Sequence, residues 1–195
     1  TAFELISGEA VELVRSHFPG TPAPLEGRWP WHVLMEATDG GSDEALREAM
    51  QAALMACLED GCLEDVVLAG SLAQGQALWA LRENITHAQQ MDGGNIKHDI
   101  SLPISRIPAF VEQMLPRLLQ AFPGARPIVY GHLGDGNLHY NVSAPAGIAP
   151  AAWQRETDAV NQLIHDAVAE MRGSISAEHG IGQLKRDLLV HYKSS

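Results

Sequence analysis

Apolar and polar positions alternate most clearly around a short glycine-rich segment in the second half of the chain. An apolar run at 127–131 predicts a strand, and residues 138–143 alternate with period two, which predicts a second strand with one apolar and one polar face. Glycines between these runs permit a sharp reversal of the backbone. We therefore predict a β-hairpin, and the polar face of its second strand carries His139, Asn141 and Ser143.

Helical and extended patterns alternate along the rest of the chain. Further strands are predicted at 31–38, 64–69 and 97–102. Helices are predicted at 42–59, at 73–87, from Ile104 or Pro108 to Phe122 and at about 150–171. A further short helix is predicted from Glu4–Ile6 together with Ala10, Leu13 and Val14. Strands separated by helices indicate an α+β fold, in which ferredoxin-like repeats form a large antiparallel sheet flanked by helices.

The predicted helix at 42–59 has the clearest boundary signal. Ser42 is a favourable N-cap, because its hydroxyl can accept a hydrogen bond from a free N–H of the first turn. The apolar periodicity predicts that one face of this helix turns inward, with Ala45, Leu46, Ala49, Ala53 and Leu54.

Composition limits the classes of partner. The chain has 195 residues, a length typical of one domain, and 46% of them are hydrophobic. No apolar run reaches the roughly 18 residues of a membrane span. The net charge of −11 argues against nucleic acid or an anionic membrane surface as the main partner. Cys57 and Cys62 lie outside any metal or catalytic motif, which predicts reduced thiols packed in a core, as in cytosolic proteins.

Two glycine-rich segments carry the residues best suited to chemistry. His132 and His139 flank the predicted turn, and Glu178 and His179 are adjacent in the second segment. Two imidazoles and one carboxylate would make a three-ligand set for a divalent ion, with one position open for water or substrate. The spacing of the histidines is no strict zinc signature, and the glycine-rich turn alone is also consistent with ordinary hairpin chemistry.

Several motifs together resemble one enzyme family. They are GHLGDGNLHYNV at 131–142, SAEHGIGQLKRD at 176–187, LWALRENIT at 78–86, PWHVLMEAT at 30–38 and IKHDISLPIS at 96–105. The chain resembles the C-terminal domain of the FAD-linked oxidases of the vanillyl-alcohol oxidase superfamily. The members it resembles most are D-2-hydroxyglutarate dehydrogenase, cytochrome-linked D-lactate dehydrogenase and the flavin subunit of glycolate oxidase.

The resemblance implies a role for each matching residue. Ligands of a divalent metal, commonly zinc or manganese, would be His132, His139 and Glu178. His179 would be the general base and contact the substrate. The other substrate contacts would be Arg82, Thr86, Lys97 and Asn141.

The resemblance also implies the reaction and the missing parts. The reaction would be oxidation of a D-2-hydroxy acid (D-lactate, D-2-hydroxyglutarate or glycolate) to the 2-oxo acid, with hydride transfer to FAD. Residues 1–195 would be a substrate- and metal-binding fragment, with helices on one side of its sheet. It would lack the N-terminal FAD-binding domain and a C-terminal tail, and so be inactive alone. The expected partners are a small anionic substrate, the FAD domain of the same polypeptide and a second copy in a homodimer. The expected location is the cytoplasm, the periphery of an inner membrane, or the mitochondrion of a eukaryote.

Two other functions are consistent with the motifs. The chain could be a non-catalytic metal-binding or oligomerisation subunit, although a scaffold has no need for Arg82, Lys97 and His179 together. It could also be a metal-dependent hydrolase that uses a metal-bound hydroxide and no flavin.

Overall fold

The computed structural model describes residues 1–178, 180, 182, 188, 191 and 192 and contains both strands and helices. The strands are β1 (Ala2–Ser7), β2 (Trp31–Glu36), β3 (Asn95–Ile96), β4 (Asp99–Ser101), β5 (Arg126–His132) and β6 (Asn137–Ser143). The helices are α1 (Gly8–His17), α2 (Asp43–Glu59), α3 (Leu72–Asp92), α4 (Ile107–Ala121), α5 (Pro150–Trp153) and α6 (Thr157–Glu170). The strands form a single sheet and the helices pack against it, which confirms the α+β prediction.

Within the described residues, the six strands form one antiparallel sheet in the order β2-β1-β5-β6, and both β3 and β4 pair with the outer edge of β6. Asn95 lies opposite Ser143, and Asp99 lies opposite His139. Lys97 and His98 interrupt this edge, where the His98 carbonyl accepts a hydrogen bond from the Tyr140 N–H at 3.1 Å. The interruption places Lys97 beside the polar face of β6.

Helices pack on both faces of the sheet. On one face, strand residues such as Ile6, Ile128 and Tyr130 join a core formed with α1 and α3. On the other face, residues such as Val129 and Tyr140 join a larger core formed with α4 and α6. The expectation of helices on one side only is therefore wrong, because neighbouring residues of β5 are buried in opposite directions.

Helix α3 positions two of the predicted site residues. Its buried residues are Leu81, Ile85, Ala88 and Gln89, a spacing that forms one stripe along a helix. Arg82 and Thr86 are four residues apart and directly follow two of these buried positions, so they lie at the border of the stripe. The prediction that one helix carries both residues is confirmed.

Three local predictions are wrong. Glu4–Ile6 lies in β1 rather than in a helix, because its apolar residues pair with neighbouring strands. Residues 64–69 form no strand, so the predicted strand-helix-strand unit around α2 is absent. Cys62 is exposed and Cys57 is only half-buried, so neither cysteine is a core residue.

Helix α2 forms as predicted but is not buried. The Ser42 hydroxyl accepts a hydrogen bond from the Ala45 N–H at 3.2 Å, which confirms the N-cap. No residue of α2 is buried, however, and the three alanines predicted to turn inward are exposed. The apolar periodicity therefore predicted the helix correctly and its packing incorrectly.

No helix in the described part of the chain combines the length and the apolar character needed to cross a membrane.

Candidate active site and metal centre

The β5–β6 hairpin brings two histidines to the same side of the sheet. Tyr130 lies opposite His139 in the strand register, so His132 and His139 share a face of the sheet. The centroids of the two imidazole rings are 6.3 Å apart, and the ring planes meet at 75°. The predicted hairpin and the approach of its two imidazoles are confirmed.

Two glycines make this hairpin possible, for different reasons. A Cβ atom on Gly131 would lie 2.4 Å from the carbonyl oxygen of Asn137, so only glycine allows β5 and β6 to approach here. Gly136 has a φ of 72°, and a Cβ atom there would lie 2.2 Å from the carbonyl oxygen of Leu102. Gly136 therefore provides the left-handed turn conformation, whereas Gly131 provides close packing.

The two histidines meet Glu178 from the second glycine-rich segment. Candidate ligand atoms of His132, His139 and Glu178 all lie within 4.8 Å of one another. His132 Nε2 is 3.3 Å from Glu178 Oε1. Metal–ligand bonds of about 2.0–2.2 Å in a tetrahedral site place the ligand atoms roughly 3.3–3.6 Å apart, so the most widely spaced of these atoms would have to approach by up to about 1.5 Å. The side chains of His132 and Glu178 are exposed enough to move by this amount. The donor set therefore fits a divalent cation.

Each histidine also faces a second carboxylate on its other side. Glu4 Oε1 accepts a hydrogen bond from His132 Nδ1 at 2.5 Å. His139 Nδ1 lies 3.8 Å from Asp99 Oδ1, which itself accepts a hydrogen bond from Asn137 Nδ2 at 2.8 Å. Histidines that bind metals usually donate the other ring N–H to a carboxylate or carbonyl, which orients the ring. The surroundings of His132 match this arrangement closely.

A cationic region adjoins the histidine cluster. Arg82 Nε donates a hydrogen bond to Glu4 Oε2 at 2.8 Å, and its guanidinium carbon lies 4.7 Å from the centroid of the Tyr130 ring. The Tyr130 hydroxyl is 3.2 Å from Thr86 Oγ1. Lys97 forms no ion pair with a carboxylate among the described residues. The region can therefore present two cations and a hydroxyl to an anionic ligand.

Arg82 is not a solvated helix residue. It pairs with Glu4 on β1 rather than with a carboxylate of its own helix, and its side chain is only 12% exposed. Arg82 is therefore a partly buried residue of the site.

Asn141 lies in the site and also links two segments of the chain that line it. Its side-chain oxygen accepts a hydrogen bond from the His98 N–H at 3.0 Å, and its Nδ2 donates to Gln89 Oε1 at 2.9 Å. One N–H of the Asn141 amide is left for a ligand after these two bonds. The residue therefore connects the strand interruption at 97–98 to the end of α3.

These groups surround one cleft of about 400 Å³, a size typical of small-molecule sites. The cleft is lined by Arg82, Thr86, Lys97, His98, Asp99, Tyr130, His139, Asn141, Glu178 and Gly180. His132 joins this set through its contact with Glu178. The predicted base His179 lies outside the described residues.

Sequence reasoning missed four residues of the site, namely Glu4, His98, Asp99 and Tyr130. Glu4 is a single charged residue within the apolar segment at 2–6, a pattern that suggests a buried carboxylate with a partner. Which partners it has depends on strand register, which the sequence pattern does not contain.

Comparisons with known proteins identify a family. The profile of the family described as "FAD linked oxidases, C-terminal domain" matches residues 1–195. The chain is 39% identical over 194 residues to a "D-2-hydroxyglutarate dehydrogenase" of Xanthomonas citri pv. viticola. This alignment covers 100% of this chain and 40% of the relative. It is 36% identical over 196 residues to the mitochondrial protein of the same name from Arabidopsis thaliana, covering 100% of this chain and 33% of the relative.

A third relative carries a different substrate in its name. The chain is 33% identical over 203 residues to a "Putative D-lactate dehydrogenase", mitochondrial, of Schizosaccharomyces pombe, and the match covers 100% of this chain and 37% of that protein. The chain thus spans between 33% and 40% of the length of these three relatives.

Proposed function

The chain belongs to the family of FAD linked oxidases, as their C-terminal domain, and we propose that it forms the substrate and metal side of a flavin-dependent 2-hydroxyacid dehydrogenase. The observation that carries the proposal is the placement of a two-histidine, one-carboxylate cluster beside Arg82 and Lys97 around one cleft. A 2-hydroxy acid has a hydroxyl and a carboxylate on adjacent carbons, and the two parts of the cleft match these two groups.

The cationic part would bind the substrate carboxylate. Glu4 occupies Arg82 Nε, so the terminal guanidinium nitrogens of Arg82 are left to form a forked pair with a carboxylate. Lys97 would add a point charge, Thr86 a hydroxyl, and Asn141 its remaining amide N–H. The net charge of the chain is −11 and repels anions, so these groups would supply the local positive charge that an anionic substrate needs.

The histidine cluster would bind the hydroxyl part of the substrate together with a cation. His132, His139 and Glu178 would hold the divalent metal, for which we propose zinc or manganese because imidazole and carboxylate donors suit both. A metal in this position supplies Lewis acidity, which lowers the pKa of a hydroxyl that binds it. His179, adjacent to Glu178 in sequence, is our proposed acceptor of the hydroxyl proton. FAD, bound by the full-length protein, would supply the acceptor for the hydride from C2.

We propose D-2-hydroxyglutarate as the first substrate to test and D-lactate as the second. Two of the relatives described above are named for the first compound, and one is named for the second. D-2-hydroxyglutarate has a second carboxylate, which Lys97 would bind while Arg82 holds the first. D-lactate has a single carboxylate, which both cations would share. Relatives named mitochondrial and a bacterial relative favour a location in the mitochondrion or the bacterial cytoplasm.

The decisive test uses the protein at its full natural length with its flavin. We would measure metal content and substrate-dependent reduction of a dye for the wild type, for Glu178→Gln, and for the control Glu112→Gln, which removes an exposed charge from α4. We expect about one metal per chain and dye reduction in the wild type and in Glu112→Gln. Glu178→Gln should lose the bound metal and the dye reduction. Loss of a residue that only orients a ligand lowers metal affinity about 10- to 100-fold, and loss of the ligand itself should have a larger effect.

Three outcomes would contradict the proposal. Dye reduction that is unchanged in Glu178→Gln would exclude a role for the cluster in the reaction. Dye reduction that requires no 2-hydroxy acid would exclude the substrate class. Hydrolysis of esters or amides by the metal-loaded protein without flavin would favour a hydrolase instead.

A further inference from the structure

Glu4 is a buried carboxylate that contacts both parts of the candidate site. Its side chain is only 3% exposed, and each of its oxygens accepts one hydrogen bond. Oε1 accepts from His132 Nδ1 at 2.5 Å, and Oε2 accepts from Arg82 Nε at 2.8 Å. We propose, on the basis of the proposed function, that Glu4 is a positioning residue that sets the histidine cluster and Arg82 at a fixed separation.

The position of Glu4 is determined by the sheet. Glu4 lies directly opposite His132 in the β1–β5 register, so the two side chains stand side by side on one face. Arg82 reaches the same carboxylate from α3, which packs over that face. A buried carboxylate is costly unless its oxygens are paired, and here two N–H donors pair both oxygens. The carboxylate therefore has a defined orientation rather than a choice of rotamers.

The contact with His132 decides which ring nitrogen faces the cluster. A carboxylate that accepts from Nδ1–H leaves the Nε2 lone pair available, and Nε2 is the atom that lies 3.3 Å from Glu178 Oε1. Without Glu4, a neutral His132 could carry its proton on either nitrogen and rotate about its side-chain bonds. Glu4 thus prepares His132 as a ligand before a metal arrives.

The contact with Arg82 fixes the guanidinium in the same way. Arg82 Nε is held by Glu4, and the guanidinium carbon lies 4.7 Å from the centroid of the Tyr130 ring. These two contacts orient the guanidinium and leave its terminal nitrogens for a ligand in the cleft. Since a 2-hydroxy acid carries its hydroxyl and carboxylate on neighbouring carbons, binding both at once requires a fixed separation between the two subsites. One carboxylate that touches both provides that separation.

Glu4→Ala and Glu4→Gln in the full-length, flavin-loaded protein test the inference, and Glu9→Gln, an exposed charge on α1, is the matched control. The readouts are the Kd for zinc, measured by competition with a chromophoric chelator on metal-depleted protein, the KM for the 2-hydroxy acid, and Tm. Glu4→Ala should weaken zinc binding about 10- to 100-fold and raise KM at least about tenfold. Glu4→Gln has a single oxygen, so it should impair at least one of these two quantities. Glu9→Gln should change neither.

The outcomes separate the inference from the proposed function. If the wild type binds neither zinc nor manganese, the proposed metal site fails and this inference fails with it. If the wild type binds zinc but Glu4→Ala and Glu4→Gln keep the zinc Kd and the KM within about twofold, Glu4 has only a structural role and the inference is overturned while the proposed function stands. If Glu4→Ala does not fold, Glu4→Gln alone decides, by the same criterion.

Discussion

Replacing Gly131 by alanine should separate β5 from β6 at the candidate site. The added Cβ atom would lie 2.4 Å from the carbonyl oxygen of Asn137 and 2.9 Å from the Cα of Leu138. Both are backbone atoms of β6, so no flexible side chain can move away to make room. The strands must shift by about 0.6–1 Å to restore an ordinary contact, in the middle of a hydrogen-bonded hairpin.

The magnitude follows from the cost of overpacking. Inserting a methyl group into a site that cannot relax costs about 1–3 kcal/mol. For a domain of this size, each kcal/mol lowers Tm by about 2–4 °C, so Gly131→Ala should lower Tm by about 2–12 °C. His132 follows Gly131 directly, so the same shift should move its imidazole and weaken zinc binding.

Gly134 offers a matched control in the same hairpin. A Cβ atom there would meet nothing within 4 Å, and the backbone needs no left-handed conformation. Gly134→Ala should therefore be neutral or raise the free energy of unfolding by up to about 1 kcal/mol, because alanine restricts the unfolded chain. Urea unfolding of both variants, followed by circular dichroism, gives the comparison. A Gly131→Ala variant within 0.5 kcal/mol of Gly134→Ala would refute the steric argument, since that is about the size of an ordinary surface substitution.

Three further predictions concern the core and the pH dependence of stability. Phe110→Ala should lower the free energy of unfolding by about 3–5 kcal/mol in urea titrations, since Phe110 is 1% exposed, whereas Leu115→Ala on the exposed side of α4 should cost far less. Burial raises the pKa of Tyr140 above its unfolded value of about 10, so the free energy of unfolding is unaffected by this group below pH 10 and falls by up to about 1.4 kcal/mol per pH unit above it. Tyr140→Phe should therefore reduce the dependence of the free energy of unfolding on pH above 10. An unchanged dependence would contradict the assignment. The hydrogen bond from Arg117 lowers the pKa of Glu170, so this pair stabilises the fold above the unfolded pKa of Glu170 and the stabilisation disappears as the pH falls. Because Glu170 is 58% exposed, solvent screens the pair, and Glu170→Gln should lower the free energy of unfolding by less than about 1 kcal/mol at pH 7 in urea titrations. A larger loss would contradict this screening.

The local elements could be predicted where the sequence pattern was long or carried a boundary signal. The N-cap at Ser42, the helix that carries Arg82 and Thr86, and the β5–β6 hairpin all agree with the structure. The strand prediction at 64–69 is wrong because a short apolar run forms a strand only where a partner strand pairs with it, and none does so among the described residues. The burial of α2 failed because periodicity indicates an apolar face without showing that another element covers it.

The sequence by itself determined the chemistry of the site, because the motif residues specify which donors and cations are present. His132, His139 and Glu178 could be named as a possible ligand set from the chain, although their approach to within 4.8 Å could not. Only the tertiary structure decided the role of Glu4, which is 128 residues from His132 and 78 from Arg82. Its contacts depend on strand register and on the packing of α3 over β1, and long-range pairings of this kind are properties of the folded sheet rather than of any local pattern.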